Sequence, residues 1–268
     1  MRRQHLRRHH GGLLTLARWY REHGRHDLPW RATRDRWSIL VSETMLHQTQ
    51  VARVAAVFDD FLARFPSPEA MAAAGPGAVI AAWGRLGYPR RARRLWEASV
   101  AIAASGWPDD LTTLPGVGRY TAGAVGAQAD DADVPALDVN VRRVVERVAG
   151  TPLSPKTAER AMVEIGRPLH GRDRLLALMD VGALLCRPRD PRCSECPLHA
   201  RCAARGQLAG ERRSRQPAFE GSFRQRRGRV LARLREGPVR ADDVDPDALA
   251  SLVDDGLAVV SRGRARLP

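Results

Sequence analysis

The sequence contains almost no lysine, few aromatic residues and no long apolar run. Lys156 is the only lysine, and Phe, Trp and Tyr together make up 5% of the 268 residues. A membrane helix needs about 20 consecutive apolar residues, and no segment approaches that length. The N-terminal decapeptide also lacks the apolar stretch of a secretory signal. The sequence therefore predicts a cytoplasmic protein without a membrane segment.

Arginine supplies nearly all of the positive charge. Of the 44 basic residues all but Lys156 are arginine, and 30 acidic residues leave a net charge of +14. Arginine binds phosphate oxygens in bidentate fashion and stacks on bases. A GC-rich genome favours arginine codons and explains part of this bias, although it does not explain the sign of the charge. The excess indicates a phosphate-rich partner.

All four cysteines lie in one loop with the spacing C-x6-C-x2-C-x5-C, as Cys186, Cys193, Cys196 and Cys202. Four thiolates in a short loop suit a [4Fe–4S] cluster or a structural zinc ion. Two disulfides are the alternative, which a cytoplasmic protein disfavours. Zinc sites usually pair their cysteines in two close knuckles, and here only Cys193 and Cys196 are that close, so the spacing favours iron–sulfur.

The pattern of apolar residues predicts a mostly α-helical fold. Apolar residues recur at three and four positions along most of the chain, whereas strand-like alternation is scarce. The expected helices cover residues 13–23, two segments within 37–65, a start at 66–69 followed by 78–83, 90–104, and 172–185, which leads to Cys186.

The composition changes after Cys202. Residues 206–222 are rich in Gly and Arg and indicate a basic linker. Residues 223–268 predict one helix at 226–234, a second at 246–254 and a hairpin-like end at 259–267, which is the order of a small winged helix. Such a unit binds DNA or packs on its neighbour, and the sequence leaves both possibilities open.

The segment from Leu114 to Ala124, LPGVGRYTAGA, predicts a helix-hairpin-helix motif. Gly116 and Gly118 allow a tight turn whose backbone N–H groups, at a helix N-terminus, can approach a DNA phosphate. An ordinary turn between helices is the alternative. The complete string and a carboxylate eighteen residues after Tyr120 favour the DNA-binding motif.

Several strings together resemble one family, the helix-hairpin-helix DNA glycosylases that hold an iron–sulfur cluster, and within it the adenine-specific enzymes. They span residues 25 to 202 in the family's order: LPWR at 28–31, VSETMLHQTQV at 41–51, GY at 87–88, the hairpin, LDVNV at 137–141 and the cysteine loop.

This resemblance implies two helical domains with a cleft between them. Residues 1–29 with 138–205 would form the domain that holds the [4Fe–4S] cluster, and residues 30–137 a six-helix barrel with the hairpin. A linker at 206–222 and the winged-helix-like tail at 223–268 would follow. The expected partner is double-stranded DNA with a mismatched or damaged base, bound by a monomer in the cytoplasm at the nucleoid.

Glu43 is the candidate catalytic acid. Its neighbours at three and four positions include Leu40 and Leu46, so that its carboxyl group faces a largely apolar stripe. Burial favours the protonated form of a carboxyl group. A protonated acid in a dry pocket can donate to N7 of a purine and turn the base into a leaving group.

Asp138 is the second candidate carboxylate. It can stabilise or trap the oxocarbenium ion that develops when a glycosidic bond breaks. A helix N-cap is the alternative role, since 139–142 opens a helix and Asp is a preferred cap. By resemblance, Tyr120 would hydrogen-bond near Asp138, and Asn140 would orient the same carboxylate. Tyr120 stands where lyase-active relatives have a Schiff-base lysine, which predicts a glycosylase that leaves the strand intact.

The resemblance also supplies the candidate DNA contacts. Gln48 and Tyr88 match the positions that fill the gap left by a flipped base and probe the opposite base, which requires unstacking. The other candidate DNA-binding residues share a place in the matching strings and are Leu28, Trp30, Arg31, Thr49, Gly116, Gly118 and Arg119.

Three residues depart from the family pattern. His47 replaces the first of two glutamines, Val139 stands where glycine is common, and Pro89 follows Tyr88 where a second aromatic residue is frequent. The tail is also too short for the long C-terminal domain with which many members recognise 8-oxoguanine. Two other functions therefore stay open: a uracil or thymine mismatch glycosylase on the same scaffold, and a non-catalytic DNA-binding iron–sulfur protein.

Overall fold

A computed structural model describes residues 15–209, 211 and 218–268. The described chain is mostly helical and contains one small sheet. The α-helices are α1 Leu16–His23, α2 Arg36–Leu46, α3 Val51–Ala55, α4 Phe58–Arg64, α5 Pro68–Trp83, α6 Arg90–Ser105, α7 Arg119–Asp130, α8 Val139–Ala149, α9 Pro155–Gly166, α10 Gly171–Asp180, α11 Phe223–Glu236 and α12 Pro246–Asp254. No helix within the described ranges has both the length and the apolar character that a membrane span requires.

The helices agree with the apolar periodicity, with two differences. The span from 37 to 65 holds three helices where two were predicted, because a second break follows the one near Gln48: Val57, with φ of −133° and ψ of −6°, separates α3 from α4. In contrast, α5 begins at Pro68, capped by Ser67, and runs through a kink at Gly75 to Trp83. Its early half carries many alanines, so the apolar pattern alone did not identify it.

The described residues form two compact units. One unit combines the described part of Met1–Arg25 with Asp133–Glu211, and the other combines His26–Ala132 with the described part of Arg212–Pro268. The tail therefore shares a unit with residues 26–132. The predicted linker falls partly on residues 210 and 212–217, which lie outside the described residues, as do residues 1–14.

The tail folds as the sequence predicts in its order of elements. Strands β1 Val239–Arg240, β2 Val259–Ser261 and β3 Arg264–Arg266 form an antiparallel sheet in the order β1-β3-β2, beside α11 and α12. Apolar residues of the tail, such as Leu234 and Leu252, belong to the same buried cluster as Trp83 and Leu95 of the barrel helices. This continuous core joins the tail to the rest of the unit.

The last helix before the cysteine loop changes its geometry. After α10 ends at Asp180, residues Val181–Leu185 form a π-helical turn, closed by a 2.7 Å bond from the Cys186 backbone N–H to the Val181 carbonyl. Such π turns often occur at functional positions. Here the turn brings Cys186 out of the helix and into the loop with the other cysteines.

Candidate functional site

Glu43 lies in α2, with only 4% of its surface exposed. The hydroxyl of Tyr120 donates to its Oε2 at 2.7 Å, and the side-chain amide of Gln128 donates to its Oε1 at 2.7 Å. Both donors come from α7, which packs against α2. The predicted burial is confirmed, but the surroundings are polar as well as apolar. The two donors fix the orientation of the carboxyl group.

Gln128 is a site residue that the sequence analysis missed. It is 1% exposed and lies eight residues after Tyr120. Positions seven and eight apart share a face of a helix. An amide at that spacing in an otherwise alanine-rich helix is therefore the sequence signal that could have identified it.

His47 ends α2 one turn after Glu43. Its ring lies 5.9 Å from the ring of Tyr120, and its Nε2 is 3.3 Å from the hydroxyl of Thr121. Burial, and then the charge of Arg91, hold the pKa of His47 below its usual value. A neutral imidazole therefore borders the Glu43–Tyr120 pair at neutral pH.

The hairpin turn needs only one of its two glycines for conformation. Gly116 has φ of 78°, and a β-carbon there would lie 2.7 Å from Cβ of Arg94. Gly118 has φ of −92° and faces open space, so that its backbone conformation does not require glycine. Gly118 is the N-cap of α7, and the space beside it is empty. A phosphate group needs such space to reach the backbone N–H groups at the start of a helix. Arg119 is exposed at the first position of that helix.

Gln48 and Tyr88, the predicted wedge residues, both have left-handed backbones and exposed side chains. Their φ angles are 56° and 47°, and Tyr88 is 37% exposed. Non-glycine residues in this region are uncommon and store strain. Such strain persists only where the surrounding structure determines the backbone, and here Arg91 supplies the determining contacts.

Arg91 hydrogen-bonds both loops that carry the wedge residues. One guanidinium nitrogen donates to the carbonyls of Thr44 and Met45 at 2.8 and 2.9 Å, and also to that of His47. The other donates to the Thr49 hydroxyl at 2.9 Å and to the carbonyls of Leu86 and Gly87 at 3.3 and 3.0 Å.

The guanidinium of Arg91 also stacks between aromatic rings. It lies 5.2 Å from the ring of Trp83 and 5.4 Å from that of Tyr88. Burial lowers its pKa to about 10, so that it stays charged at neutral pH. Arg91 was not predicted as a site residue, because its six acceptors lie in segments far apart in sequence. Thr49 acts here as a link between the two loops.

Trp30 is a core residue, which corrects its prediction as a DNA contact. It is 3% exposed and packs edge-on against Phe58, with ring centroids 5.4 Å apart. Leu28 packs against the same core, and Arg31 is half-buried at the end of the short helix Pro29–Arg31. The LPWR string is thus a structural anchor for the segment that leads into α2.

Asp138 caps α8, as the alternative reading of the sequence predicts. Its Oδ1 accepts the backbone N–H of Asn140 at 2.9 Å and that of Val141 at 2.6 Å. Its Oδ2 accepts the side-chain amide of Asn140 at 2.8 Å, the contact through which Asn140 would orient the carboxylate. The predicted interaction of Tyr120 with Asp138 would join the two units and stays a prediction. Val139, which follows Asp138, is 77% exposed.

Arg143 connects this carboxylate to the cysteine loop within the same unit. It donates to Oδ1 of Asn140 at 2.8 Å, to the Gly182 carbonyl at 2.7 Å and to the Cys186 carbonyl at 2.6 Å. Gly182 permits close packing, since a β-carbon there would lie 2.8 Å from Cβ of Asn140. Nothing in the sequence marks Arg143 for this role, because arginine is common throughout the chain.

The four thiols line a single cavity together with apolar side chains such as Val144 and Leu185. In the described part of the chain no group of three or more His, Cys, Asp or Glu side chains has the spacing that holds one metal ion. Burial raises the pKa of the Cys196 thiol to about 11 and also raises that of Cys186. Four soft donors around a cavity are a set that fits a polynuclear iron–sulfur cluster.

Arg147 supports the cysteine loop from α8 and is 1% exposed. It donates to Sγ of Cys186 at 3.5 Å and to the Arg187 carbonyl at 2.8 Å, and it forms a salt bridge of 2.9 Å with Glu211. Positive charge beside a sulfur ligand favours its thiolate form. Arg147 is therefore placed to stabilise the ligand set of a metal centre.

Comparison with known proteins identifies relatives along most of the chain. The model of the HhH-GPD superfamily of base excision DNA repair proteins matches residues 41–168. The adenine DNA glycosylase of Mycolicibacterium smegmatis is 42% identical, over 91% of this chain and 91% of that protein. The thymine-DNA glycosylase of Aeropyrum pernix is 35% identical, over 70% of this chain and 91% of that protein.

Solved structures show the same fold. The structure of a thermostable thymine-DNA glycosylase matches with a TM-score of 0.66 and 27% identity, and the match covers 72% of this chain and 94% of that one. This structural match covers 72% of the chain, whereas the sequence match to the Mycolicibacterium smegmatis protein covers 91% of it.

Proposed function

The chain belongs to the HhH-GPD superfamily of base excision DNA repair proteins, as a DNA glycosylase similar to the adenine-specific enzymes, and we propose that it excises adenine mispaired with 8-oxoguanine or guanine. The observation that carries this proposal is the buried Glu43, held by Tyr120 and Gln128, within a chain 42% identical to an adenine DNA glycosylase over nearly its whole length. The substrate is double-stranded DNA, acted on in the cytoplasm.

Glu43 is the proton donor in the proposed reaction. Protonation of N7 of the flipped adenine makes the base a better leaving group, so that the glycosidic bond breaks with positive charge developing on the sugar. The hydrogen bonds from Tyr120 and Gln128 hold the carboxyl group in one orientation, which keeps the donating oxygen aimed at its acceptor.

Asp138 stabilises the sugar cation in the proposed reaction, or traps it before water arrives. Its hydrogen bonds to the α8 N-terminus and to Asn140 keep the carboxylate in place, so that capping and catalysis use the same geometry. Water then adds to the anomeric carbon, displacing Asp138 where a covalent bond has formed, and its released proton goes to the Glu43 carboxylate, so that the products are free adenine and an abasic site.

The proposed enzyme leaves the DNA strand uncut. Strand cleavage by lyase chemistry needs an amine that forms a Schiff base with the sugar. The hairpin position of that amine holds Tyr120, and Lys156, the only lysine, is exposed in α9 outside the matching strings. The reaction therefore stops at the abasic site.

Gln48 and Tyr88 are proposed to enter the DNA stack beside the flipped base. An aromatic ring that stacks on a base contributes about 1–3 kcal/mol, which offsets part of the cost of unstacking. The exposed side chains and the backbones held by Arg91 support this role, because a preformed wedge needs no ordering when DNA binds.

The cysteine loop is proposed to hold a [4Fe–4S] cluster through Cys186, Cys193, Cys196 and Cys202. The cluster would cross-link the loop and fix its shape when bound. Arg147 would stabilise the Cys186 ligand, and Arg143 would connect the loop to Asn140.

A thymine or uracil mismatch glycosylase is the second candidate. The 35% identity to the thymine-DNA glycosylase of Aeropyrum pernix and the likeness to a solved thymine-DNA glycosylase favour it. The longer coverage by the adenine-specific relative of Mycolicibacterium smegmatis favours adenine.

One assay tests the proposal. Single-turnover base release is measured from duplexes that carry A, T, U or hypoxanthine opposite guanine or 8-oxoguanine, with and without alkali treatment. We expect adenine to be released fastest and the strand to break only after alkali. Faster release of thymine or uracil would favour the second candidate, and strand breaks without alkali would contradict the absence of lyase chemistry.

A further inference from the structure

The loop that carries Tyr88 lies between two helices that the tail contacts. Residues 84–89, the Tyr88 loop, connect α5 to α6. The tail, residues 223–268, belongs to the same compact unit as both helices. The proposed function assigns no task to the tail.

Asp255 joins the tail to the first turn of α6. Its Oδ1 accepts Arg90 at 2.6 Å, and its Oδ2 accepts Arg227 of α11. Only 11% of the Asp255 side chain is exposed. Arg90 is the first residue of α6 and lies two residues after Tyr88. The carboxylate thus holds one arginine from the tail and one from the helix that follows the loop.

Gly256 makes a second contact with the same helix turn. Arg93 donates to the Asp255 carbonyl at 3.1 Å, and its guanidinium occupies the space that a β-carbon of Gly256 would take. A β-carbon at Gly256 would overlap Nη1 of Arg93 at 0.9 Å, and φ is 61° there. The backbone conformation favours glycine, and a β-carbon at Gly256 would push the guanidinium of Arg93 out of its place.

The tail also holds α5, on the other side of the loop. Nε of Arg235 lies 3.4 Å from the carbonyl of Ile80. The Pro268 carbonyl lies against Gly77, where a β-carbon would be 2.3 Å away. The tail therefore contacts both helices that flank the Tyr88 loop, and it shares their apolar core.

The backbone of the loop enters α6 through its own hydrogen bonds. The Tyr88 carbonyl accepts the N–H of Arg91 at 2.9 Å, and the Pro89 carbonyl accepts the N–H of Ala92 at 3.0 Å. No side chain caps this helix start. A contact that holds Arg90 and Arg93 therefore also restrains the turn whose hydrogen bonds join Tyr88 and Pro89 to α6.

We propose that the tail positions Tyr88, and that Asp255 and Gly256 are the residues through which it does so. The tail holds the first turn of α6 and also contacts α5, the helix on the other side of the Tyr88 loop. In this way it fixes the position of Tyr88, which is proposed to probe the opposite base. Asp255 and Gly256 are positioning residues in this reaction. The inference rests on the proposed function, in which Tyr88 probes the base opposite the flipped one.

Hydrogen exchange on the full chain without DNA tests whether the tail stabilises the first turn of α6. Asp255→Asn removes the charge but keeps the shape, Gly256→Ala disrupts the close approach, and Asp254→Asn is the matched control at an exposed neighbour. We expect the Arg91 and Ala92 amides to exchange about tenfold faster in the first two variants and unchanged in the control. Equal protection in wild type and Asp255→Asn would overturn the proposal, whichever base the enzyme excises.

Base release tests the link to Tyr88. Adenine release is compared opposite 8-oxoguanine and opposite a stable abasic analogue, which offers no base to probe. We expect Asp255→Asn to lower the ratio of the two rates about threefold to tenfold, and to have no further effect on it in a Tyr88→Ala background. A parallel fall of both rates, or an additive effect with Tyr88→Ala, would contradict an action through Tyr88. Failure of the wild-type protein to release adenine contradicts the proposed function alone, since the exchange experiment still tests whether the tail holds the first turn of α6.

Discussion

The hydroxyl of Tyr120 donates a 2.7 Å hydrogen bond to Oε2 of Glu43, so that the hairpin helix α7 holds the candidate catalytic acid of α2. Gln128, on the same face of α7, holds the other carboxyl oxygen at the same distance. Any shift of the hairpin helix therefore changes the orientation of Glu43. This coupling joins the motif that is proposed to bind phosphate to the residue that is proposed to donate the proton.

Replacement of Gln128 by Leu should slow adenine release about tenfold to a hundredfold while DNA affinity stays within about twofold. The variant removes one of the two hydrogen bonds that orient the carboxyl group of Glu43, and a misplacement of about 1 Å in an active site can slow a reaction about a hundredfold. The measurement is single-turnover release, with affinity determined at the same salt concentration. In a Glu43→Gln background, Gln128→Leu should add nothing to the loss, and a further loss would contradict an action through Glu43.

Arg143→Lys should lower base release more than it lowers iron content. Lysine keeps the charge, but it lacks the planar guanidinium group that donates hydrogen bonds to Asn140, Gly182 and Cys186 at the same time. We expect a loss of about tenfold or more in the rate per cluster-loaded protein, because Asn140 loses the partner that orients it.

Arg147→Lys is the matched variant for that experiment, because Arg147 contacts the sulfur of Cys186 itself. It should lower iron content, read from visible absorbance and metal analysis, while the rate per loaded protein stays close to that of wild type. An unchanged rate per loaded protein in Arg143→Lys would show that Arg143 serves the loop alone.

The sequence identified the residues whose roles depend on local patterns. The burial of Glu43 followed from helical periodicity, the cap at Asp138 from the preference of Asp for that position, and the shared cavity of the four thiols from their spacing. Each of these signals is contained within about one helical turn or one loop.

The residues that the sequence missed act across long separations. Arg91 contacts segments 42 to 47 positions away, and Gln128 contacts Glu43 across 85 positions. Only the tertiary fold brings such groups together, and a chain with so many arginines does not mark which of them make contacts across the fold. Trp30 was assigned to DNA for the same reason, since a string in a known motif does not show which of its side chains face the core.

Arg91→Lys should lower the melting temperature by about 4 °C or more. An ammonium group has three N–H bonds at one point and cannot span both wedge loops as the planar guanidinium does, so that carbonyls in one of the two loops lose their donor. Arg94→Lys, whose side chain is 62% exposed on the same helix, is the control and should change the melting temperature little. Equal melting temperatures for Arg91→Lys and wild type would mean that the loops hold their strained conformations without this residue.

His47→Gln should make the protein less sensitive to acid. Burial holds the pKa of His47 below its unfolded value of about 6.5, so that the folded state binds fewer protons than the unfolded state in the window between the two values. Stability is therefore complete above about pH 6.5 and falls as the pH decreases towards the lowered folded pKa. Glutamine, the residue usual in the family at this position, does not titrate.

We expect the loss of melting temperature between pH 7 and pH 5 to be smaller in His47→Gln than in wild type, and unchanged in His26→Gln, which alters an exposed histidine. The same loss in His47→Gln as in wild type would show that the acid sensitivity arises elsewhere.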